Sequence, residues 1–522
     1  MPARPFDVLA NQGDAAPRPG VVRTDMLVAA ASLLLAAAFL FVDPATMPIR
    51  LWDESRNIVN ALEMHRNGYG LVTTYGGLPD LWNSKPPLLI WLMVASVDAF
   101  GPSLWALRLP SMVAGLATIA IVFWFVRRVS GSASTAWLSA ALTVASPACF
   151  GEHSARTADY DAVLLVFVTG YACLLFLALH QRRPSWRLLG VAGVAICCAC
   201  LTKSVAGLVP GVGIALYALL SGRWRRLVAS PRYAIVGTAV LALLVGFLAL
   251  RELRSPGYLA AIWANDLGGR FASTLVRPKP ATYYFGLLRA GFFAATPLLL
   301  LAPVAWGFAR GRQRVLLGFA LCMVASILVV FSLAASKLDH YILTALPFMA
   351  IAAASTAHVA IARARIVLAH GRRHARVAAA TLVLVATVPL LMGAAGAVAR
   401  RYYLAPVGEG AEAGRYDALF KTIAPRGDAP ILVVDPGFAY DGWPHYAPTL
   451  LAYRELWLAR GVPIAHRAAL DLPTSPTPVL VASCAPWVVA RLLRRGRDEA
   501  GVTGCAAVRM PSAPSRSGGS GG

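Results

Sequence analysis

Eleven apolar runs divide the chain, near 26–42, 107–126, 132–149, 161–180, 187–202, 204–220, 233–250, 284–305, 315–334, 341–361 and 377–398. Each is close to the roughly 17–25 residues that a helix needs to cross a bilayer. In hydrocarbon every backbone N–H and C=O must be satisfied inside its own segment, so such runs can only be helices. The expected fold is therefore a polytopic all-α membrane domain of about 11 transmembrane helices. Composition agrees, with 58% hydrophobic residues among 522 and a mean hydropathy of +0.62, far more apolar than a soluble chain of this size.

A net charge of +23 would suggest nucleic acid in a soluble protein. Here the basic residues gather in short loops between apolar runs, which is the positive-inside pattern, and a nucleic-acid partner is excluded. The run 86–100 decides the topology. It holds about a dozen apolar residues after Pro86-Pro87 and is closed by Asp98 and Gly101, short for a span and usual for an interfacial or re-entrant helix. If it does not cross, Arg127-Arg128, Arg182-Arg183-Arg187, Arg223-Arg225-Arg226, Arg310-Arg312-Arg314 and the cluster from Arg363 to Arg376 share the side of the N-terminus. The outer side then receives 43–106, 150–160, the 202–203 turn, 251–283, 335–340 and everything after 399. The lysines, Lys85, Lys203, Lys279, Lys337 and Lys421, all fall outside or at the outer boundary. Lysine is a natural phosphate-binding point charge, so an anionic ligand is expected there.

The domain plan is a cytoplasmic segment 1–25, a membrane catalytic domain 26–399 with a first outer loop 43–106, an outer α/β domain 400–510 and a tail 511–522 ending in the linker-like SGGSGG. The run Met26 to Val42 follows a polar stretch without a small-residue cleavage site, and reads as an uncleaved first span. In the 400–510 region, ILVVDPG (431–437) and TPVLVAS (477–483) read as buried strands, with helical patterns at 415–423, 449–460 and 486–495. Cys484 and Cys505 stand apart there and can pair in an oxidising compartment. The other cysteines, Cys149, Cys173, Cys197, Cys198, Cys200 and Cys322, sit in or at the ends of apolar runs as small hydrophobes.

The candidate chemistry lies on the outer side. Asp53 and Glu54 open a helical pattern with Ile58, Val59, Leu62 and Met64, and acids in a first turn are favoured by the helix dipole. Such a short helix, carrying Arg56, His65 and Arg66, is expected to lie on the membrane surface. The loop GEHSARTADYD gathers Glu152, His153, Arg156, Asp159 and Asp161 ahead of a span; a solvated turn capped by Asp161 accounts for these residues equally well, and His153 alone reads as a surface histidine. Lys203 has almost no loop around it, and its ammonium must snorkel or meet an anion. The 251–283 loop carries Asp266, Arg270, Arg277 and Lys279 before Tyr283-Tyr284, for which aromatic-belt anchoring is a sufficient role. Ser336, Lys337, Asp339, His340 and Tyr341 form another polar outer turn. Carboxylates and cations on one membrane face suit a reaction at a lipid-borne phosphate: cations stabilise the leaving phosphate and a carboxylate takes the acceptor proton.

The acid pair after the first span, the K-P-P motif at Lys85, R-T-x-D-x-D at 156–161, L-T-K at 201–203 and S-K-L-x-x-Y-I-L-x-x-L-P from Ser336 together resemble the C-type (GT-C) integral membrane glycosyltransferases. The nearest branch is the protein-mannosyltransferase-like group that includes the aminoarabinose transferases acting on lipid A, and the likeness covers roughly 26–350. The resemblance implies a multi-pass protein of the bacterial inner (plasma) membrane with a periplasmic active site. It also implies a polyprenyl-phosphate (undecaprenyl phosphate) sugar donor and transfer with inversion to an envelope acceptor such as lipid A, glycan, lipid or protein. Asp53 matches the expected catalytic base, beside Glu54, and both Asp159 and Asp161 fit the second acidic position. Lys85, Lys203, Arg270 and Lys337 match positions that bind donor phosphate, while Arg56, Arg156, Tyr283, Tyr284, His340 and Tyr341 are assigned to substrate binding. The chain departs from the pattern at Thr344, where proline is common, and in RPKPATYY (277–284), where a histidine often stands.

No cofactor is assigned from the sequence; Asp53 with Glu54 and Asp159 or Asp161 could converge as oxygen ligands of a divalent cation, Mg2+ or Mn2+. The competing class is an envelope lipid or sugar transporter or flippase, which should show inverted repeats and charges at mid-span; here the charges cluster at one face. An envelope scaffold would leave the outer acids without a task.

Overall fold

The computed structural model describes residues 33–265 apart from 35, 39, 43, 51, 151 and 152, then 268, 278–370, 410–435, 438–440, 443–446, 448–467 and 477–511. Two compact units divide the chain: Met1–Val42 with Leu81–Leu89 and Leu109–Ala405, and Asp43–Asp80 with Ile90–Arg108 and Pro406–Gly522.

The first unit is helical. Among the described residues, six helical stretches are long and apolar enough to cross a membrane: Leu104–Ser130, Tyr160–His180, Trp186–Leu220, Pro231–Arg254, Gly311–Leu333 and Asp339–Val367. Their packing is keyed by aromatic rings. Phe319 meets Phe176 at 4.6 Å between centroids, Tyr217 at 5.4 Å, Phe125 at 5.7 Å and Phe348 at 5.8 Å. The last three are edge contacts, which add about 0.5–1.5 kcal/mol each beyond area burial.

Several expected spans take other forms. The run 132–149 contains a helix of only 13 residues, Ala133–Ala145, because Ser146 ahead of Pro147 is extended at φ −74°, ψ 131°; proline disfavours helical geometry in the residue before it. The run 284–305 is not continuous but holds three short helices, Tyr283–Arg289, Thr296–Leu300 and Ala302–Phe308. Gly291 at φ 97° interrupts it, and Pro297 and Pro303 remove backbone donors. The stretch 186–220, by contrast, divides near the expected 202–203 turn, into Trp186–Lys203 and Val209–Leu220 joined by the 3-10 turn Ser204–Leu208. A Cβ at Gly207 would lie 2.6 Å from the carbonyl carbon of Ala199, whereas eight residues of straight helix would carry the chain about 12 Å onward. The chain doubles back through Ser204, at φ 48°, and only a residue without a side chain fits at 207. Most of the expected first span 26–42 and all of 377–398 lie outside the described residues.

The second unit is mixed. Its helix Asp53–Asn67 runs 15 residues and starts at the acid pair, but residues 54–64 are all buried, so this helix is not the surface-lying amphipathic element that its charges suggested. It packs chiefly on the helix Pro448–Ala459, and Arg66 reaches Glu455 at 2.7 Å. The helix Leu88–Phe100 has 13 residues, about 20 Å of length against a hydrocarbon core of about 30 Å. A two-stranded hairpin, β1 (Thr74–Tyr75) with β2 (Leu78–Pro79), follows the first helix. Further on come β3 (Ile431–Val434), β4 (Phe438–Tyr440), β5 (Trp443–Tyr446), β6 (Ile464–Arg467), β7 (Val479–Ser483) and β8 (Ala506–Met510). The sheet has the order β6-β3-β7-β8; β3 is parallel to both neighbours and β8 is antiparallel at the edge. Every residue of β3 is buried, the pattern of a central parallel strand covered on both faces. Cys484 and Cys505 form a disulfide between the ends of β7 and β8.

Candidate active site

In the first unit the R-T-x-D-x-D motif folds as the entry to the helix Tyr160–His180. Asp159 is its N-cap, accepting the Tyr160 N–H at 2.6 Å through Oδ1, which satisfies one of the helix's unpaired donors. Its other oxygen accepts from His153 Nδ1 at 2.6 Å, and Ser111 donates to its backbone carbonyl at 3.1 Å. Asp161, one turn in, accepts both bonds of a forked contact from Lys203 Nζ at 2.7 and 2.8 Å. Asp159, Asp161 and Lys203 are 1%, 3% and 9% exposed. Two adjacent acids thus hold different partners: one orients an imidazole and the other neutralises a buried ammonium.

Lys203 ends its helix, and Ser204 follows at φ 48°, ψ −131°, a conformation that costs a non-glycine residue about 1–3 kcal/mol. The reversal at Gly207 is what leaves Lys203 at a helix terminus. Lys85 is buried, with its ammonium 4.9 Å from the centre of the Tyr160 ring, and Asn83 donates to the Tyr160 hydroxyl at 3.0 Å. Lys337 donates to the Ala334 carbonyl at 2.7 Å. His340 lies against His153, with ring centroids 4.0 Å apart, and beside Tyr341 at 5.0 Å. One ligand-capable atom from each of His153, Asp161 and His340 lies within 4.8 Å of the others.

The remaining described first-unit candidates bond to other parts of the chain. Arg156 donates to the Val42 carbonyl at 2.6 Å. Tyr283 is bonded to Asp339 and to Lys279, whose Nζ is 2.8 Å away, and Tyr284 donates to Leu338 O at 3.2 Å. Arg270, Glu152, Asp266 and Arg277 lie outside the described residues.

In the second unit Asp53 is half-buried at the first turn of its helix. The residue before it, Trp52, stands at φ 70°, ψ −114°. Its carbonyl accepts from Arg56 N at 3.0 Å and Ser55 Oγ at 2.9 Å. Glu54 is 1% exposed and bonded to Arg108 Nε at 2.7 Å and Nη2 at 3.0 Å, and it accepts Arg50 N at 2.8 Å. Arg108, with no exposed surface, also donates to the carbonyls of Pro44, Met47 at 2.8 Å and Pro48 at 3.0 Å. Arg56 forks onto Asp80 at 2.8 and 2.7 Å beneath the Tyr75 ring. The charges of the first helix therefore clamp the chain around Asp53.

Sequence reasoning did not assign Arg108, Asp80 or Tyr160, and gave His153 no partner. Arg108 carried one signal, being an arginine at the head of a long apolar run.

The matching family is that described as dolichyl-phosphate-mannose-protein mannosyltransferase, over residues 84–249, and the chain resembles the GT-C glycosyltransferases of this branch. Among individual proteins, it is 28% identical over 305 residues to an undecaprenyl phosphate-alpha-4-amino-4-deoxy-L-arabinose arabinosyl transferase of Erwinia tasmaniensis, covering 56% of this chain and 53% of the relative. It is 26% identical over 322 residues to the protein so named in Edwardsiella ictaluri, covering 59% and 56%. The chain spans just over half the length of these curated relatives. The fold is similar to the crystal structure of ArnT from Cupriavidus metallidurans bound to undecaprenyl phosphate, with a TM-score of 0.64 and 20% identity over 94% of this chain and 98% of that one.

Proposed function

We propose that the chain is a membrane glycosyltransferase that moves a monosaccharide from a polyprenyl-phosphate-linked donor to an envelope acceptor at the periplasmic face, with inversion. The observation that carries this reading is the buried constellation of Lys85, Tyr160, Asp159, Asp161 and Lys203, in which separate motifs converge in one unit. The resemblance to transferases named for an undecaprenyl phosphate sugar supports the donor class. The disulfide Cys484–Cys505 suits an oxidising compartment and supports the periplasmic side.

In this mechanism the acceptor hydroxyl oxygen attacks the anomeric carbon as the bond from that carbon to the phosphate oxygen breaks. Asp53 takes the hydroxyl proton as general base, and the electron pair of the broken bond leaves on the polyprenyl phosphate. Lys85, Lys203, Arg270 and Lys337 stabilise that departing charge. Asp159 and Asp161 act by keeping His153 and Lys203 in place. Tyr283, Tyr284, Tyr341, His340, Arg56 and Arg156 line or brace the substrate region.

The test is sugar transfer by the purified chain from an undecaprenyl-phosphate-linked donor to envelope lipid extract, followed by mass spectrometry. Asp53→Asn should leave a folded protein with transfer reduced about 10²–10⁴-fold, the range of a general base, and Lys85→Ala one reduced about 10²–10³-fold, the range of a lost charge-stabilising donor. Full activity in Asp53→Asn overturns the assigned chemistry, and flux of donor across proteoliposomes without transfer identifies a flippase.

A further inference from the structure

We propose that Arg128, Arg312 and Ser134 bind the phosphodiester of an acidic phospholipid, at the arginine-bearing end of the first unit's helices. The helix Leu104–Ser130 carries Arg127 and Arg128 in its last turn, and Gly131 and Ser132 lead the chain into Ala133–Ala145. Gly311–Leu333 brings Arg312 to the same turn from 184 residues further along the chain. Its Nη2 donates to the Arg128 carbonyl at 3.3 Å, and a Cβ added at Gly131 would lie 3.2 Å from its Nη1. The guanidinium therefore rests on the turn, and the glycine makes room for it. Arg127 donates to the Gly131 carbonyl at 2.6 Å.

Arg312 stands within electrostatic reach of both Arg127 and Arg128. Neither Arg128 nor Arg312 is ion-paired with a carboxylate among the described residues, and Arg312 Nε is buried without a hydrogen-bond partner. Like charges held together repel, so an anion placed among them is stabilised by each. The guanidinium fork fits phosphate oxygens. A neutral donor completes the set. Thr135 donates to Ser132 Oγ twice, through its hydroxyl at 3.0 Å and its N–H at 3.2 Å. Both lone pairs of Ser132 are thereby used, and its hydrogen goes to Ser134 Oγ at 3.0 Å. Exposed Ser134 keeps its own hydroxyl hydrogen for a ligand.

Tryptophan sets the depth. Trp124 and Trp137 are 47% and 41% exposed, and each stands about one helical turn, some 5 Å, further into its helix than Arg128 and Ser134 do. Exposed indoles anchor where acyl chains meet headgroups, so the arginines lie at headgroup level. Basic pockets between membrane helices at that level suit acidic headgroups. The depth selects a lipid phosphate over a soluble one.

Lipid binding is read without reference to sugar transfer, so the outcome does not depend on that assignment. The full chain, delipidated in detergent, is titrated with phosphatidylglycerol and, in parallel, with phosphatidylcholine and inorganic phosphate. Native mass spectrometry counts bound lipid, and the melting midpoint is followed. Saturable phosphatidylglycerol binding that raises the midpoint is expected, with no such rise from the other two at equal concentration. Arg312→Gln and Arg128→Gln should each weaken it about 10–100-fold, the loss of charge-assisted hydrogen bonds. Arg183→Gln, exposed in another arginine-rich loop, should cost no more than the roughly fivefold worth of one charge near an acidic surface. Where Arg312→Gln misfolds, exposed Arg128 carries the test. Equal losses in Arg183→Gln and the site variants reduce the effect to diffuse attraction and overturn the proposal. Phosphatidylcholine bound as tightly, or a midpoint gain from inorganic phosphate matching that from phosphatidylglycerol, overturns it too.

Discussion

Arg108 shows how one side chain can organise the approach to a reacting group. Its guanidinium holds Glu54 and the carbonyls of Pro44, Met47 and Pro48, the segment that leads to the strained Trp52 and then Asp53. Breaking a buried pair by removing one partner costs about 3–5 kcal/mol, because the other charge is left unpaired, whereas removing both is far less damaging. Arg108→Leu should therefore lower the melting midpoint sharply in detergent, and the double variant Arg108→Leu with Glu54→Leu should recover part of the loss. A double variant no better than the single one would show that Arg108 acts through the carbonyls alone. The same scale separates Asp159 from Asp161, which the motif alone leaves equivalent. Their spacing on one turn is plain in the chain, but their partners, His153 and Lys203, are chosen by how the loop and the 204–207 reversal pack.

Among the elements, the strands of the second unit divide by how much apolar surface they bury. The cores of β3 and β7 are uninterrupted apolar runs within 431–437 and 477–483, and they are visible as such. β6, IAHR, alternates more and less buried residues, and β8 sits at an edge, so neither stands out from a loop. Asp498 fastens that edge, accepting the backbone N–H groups of Ala500, Gly501 and Ala507, each at 2.9 Å. Burial raises its carboxyl pKa, but those three donors and Arg426 lower it more, leaving it below the ordinary carboxylate value. A depressed folded pKa contributes stability that is fully present above the unfolded value near 3.9 and is lost as pH falls through the folded one. The difference in melting midpoint between wild type and Asp498→Asn should accordingly be greatest above about pH 5 and shrink below about pH 4. A constant difference across that range would remove the carboxylate from the account.

For the whole molecule, the proposed topology puts the arginine-rich loops and the outer acids on opposite faces of a membrane. Single cysteines placed at Arg128, Arg183 and Arg312 in a chain whose free cysteines are replaced should react together with an impermeant thiol reagent from the cytoplasmic side, and a cysteine at Leu78 only from the other. Labelling of the loop positions from both sides would discard the topology and the periplasmic site with it.

The amino-acid sequence by itself determined that this chain is a helical membrane protein with its acids and lysines gathered in a few polar loops. Hydropathy and charge act locally, and hydrocarbon admits no other backbone solution. It also carried, through the motifs, the likeness to GT-C glycosyltransferases. Only tertiary structure decided that the first charged helix is buried and which partner each carboxylate takes. Those outcomes depend on how separate segments pack, as Lys203 does on Asp161 and Arg66 on Glu455, and no local period or spacing encodes them.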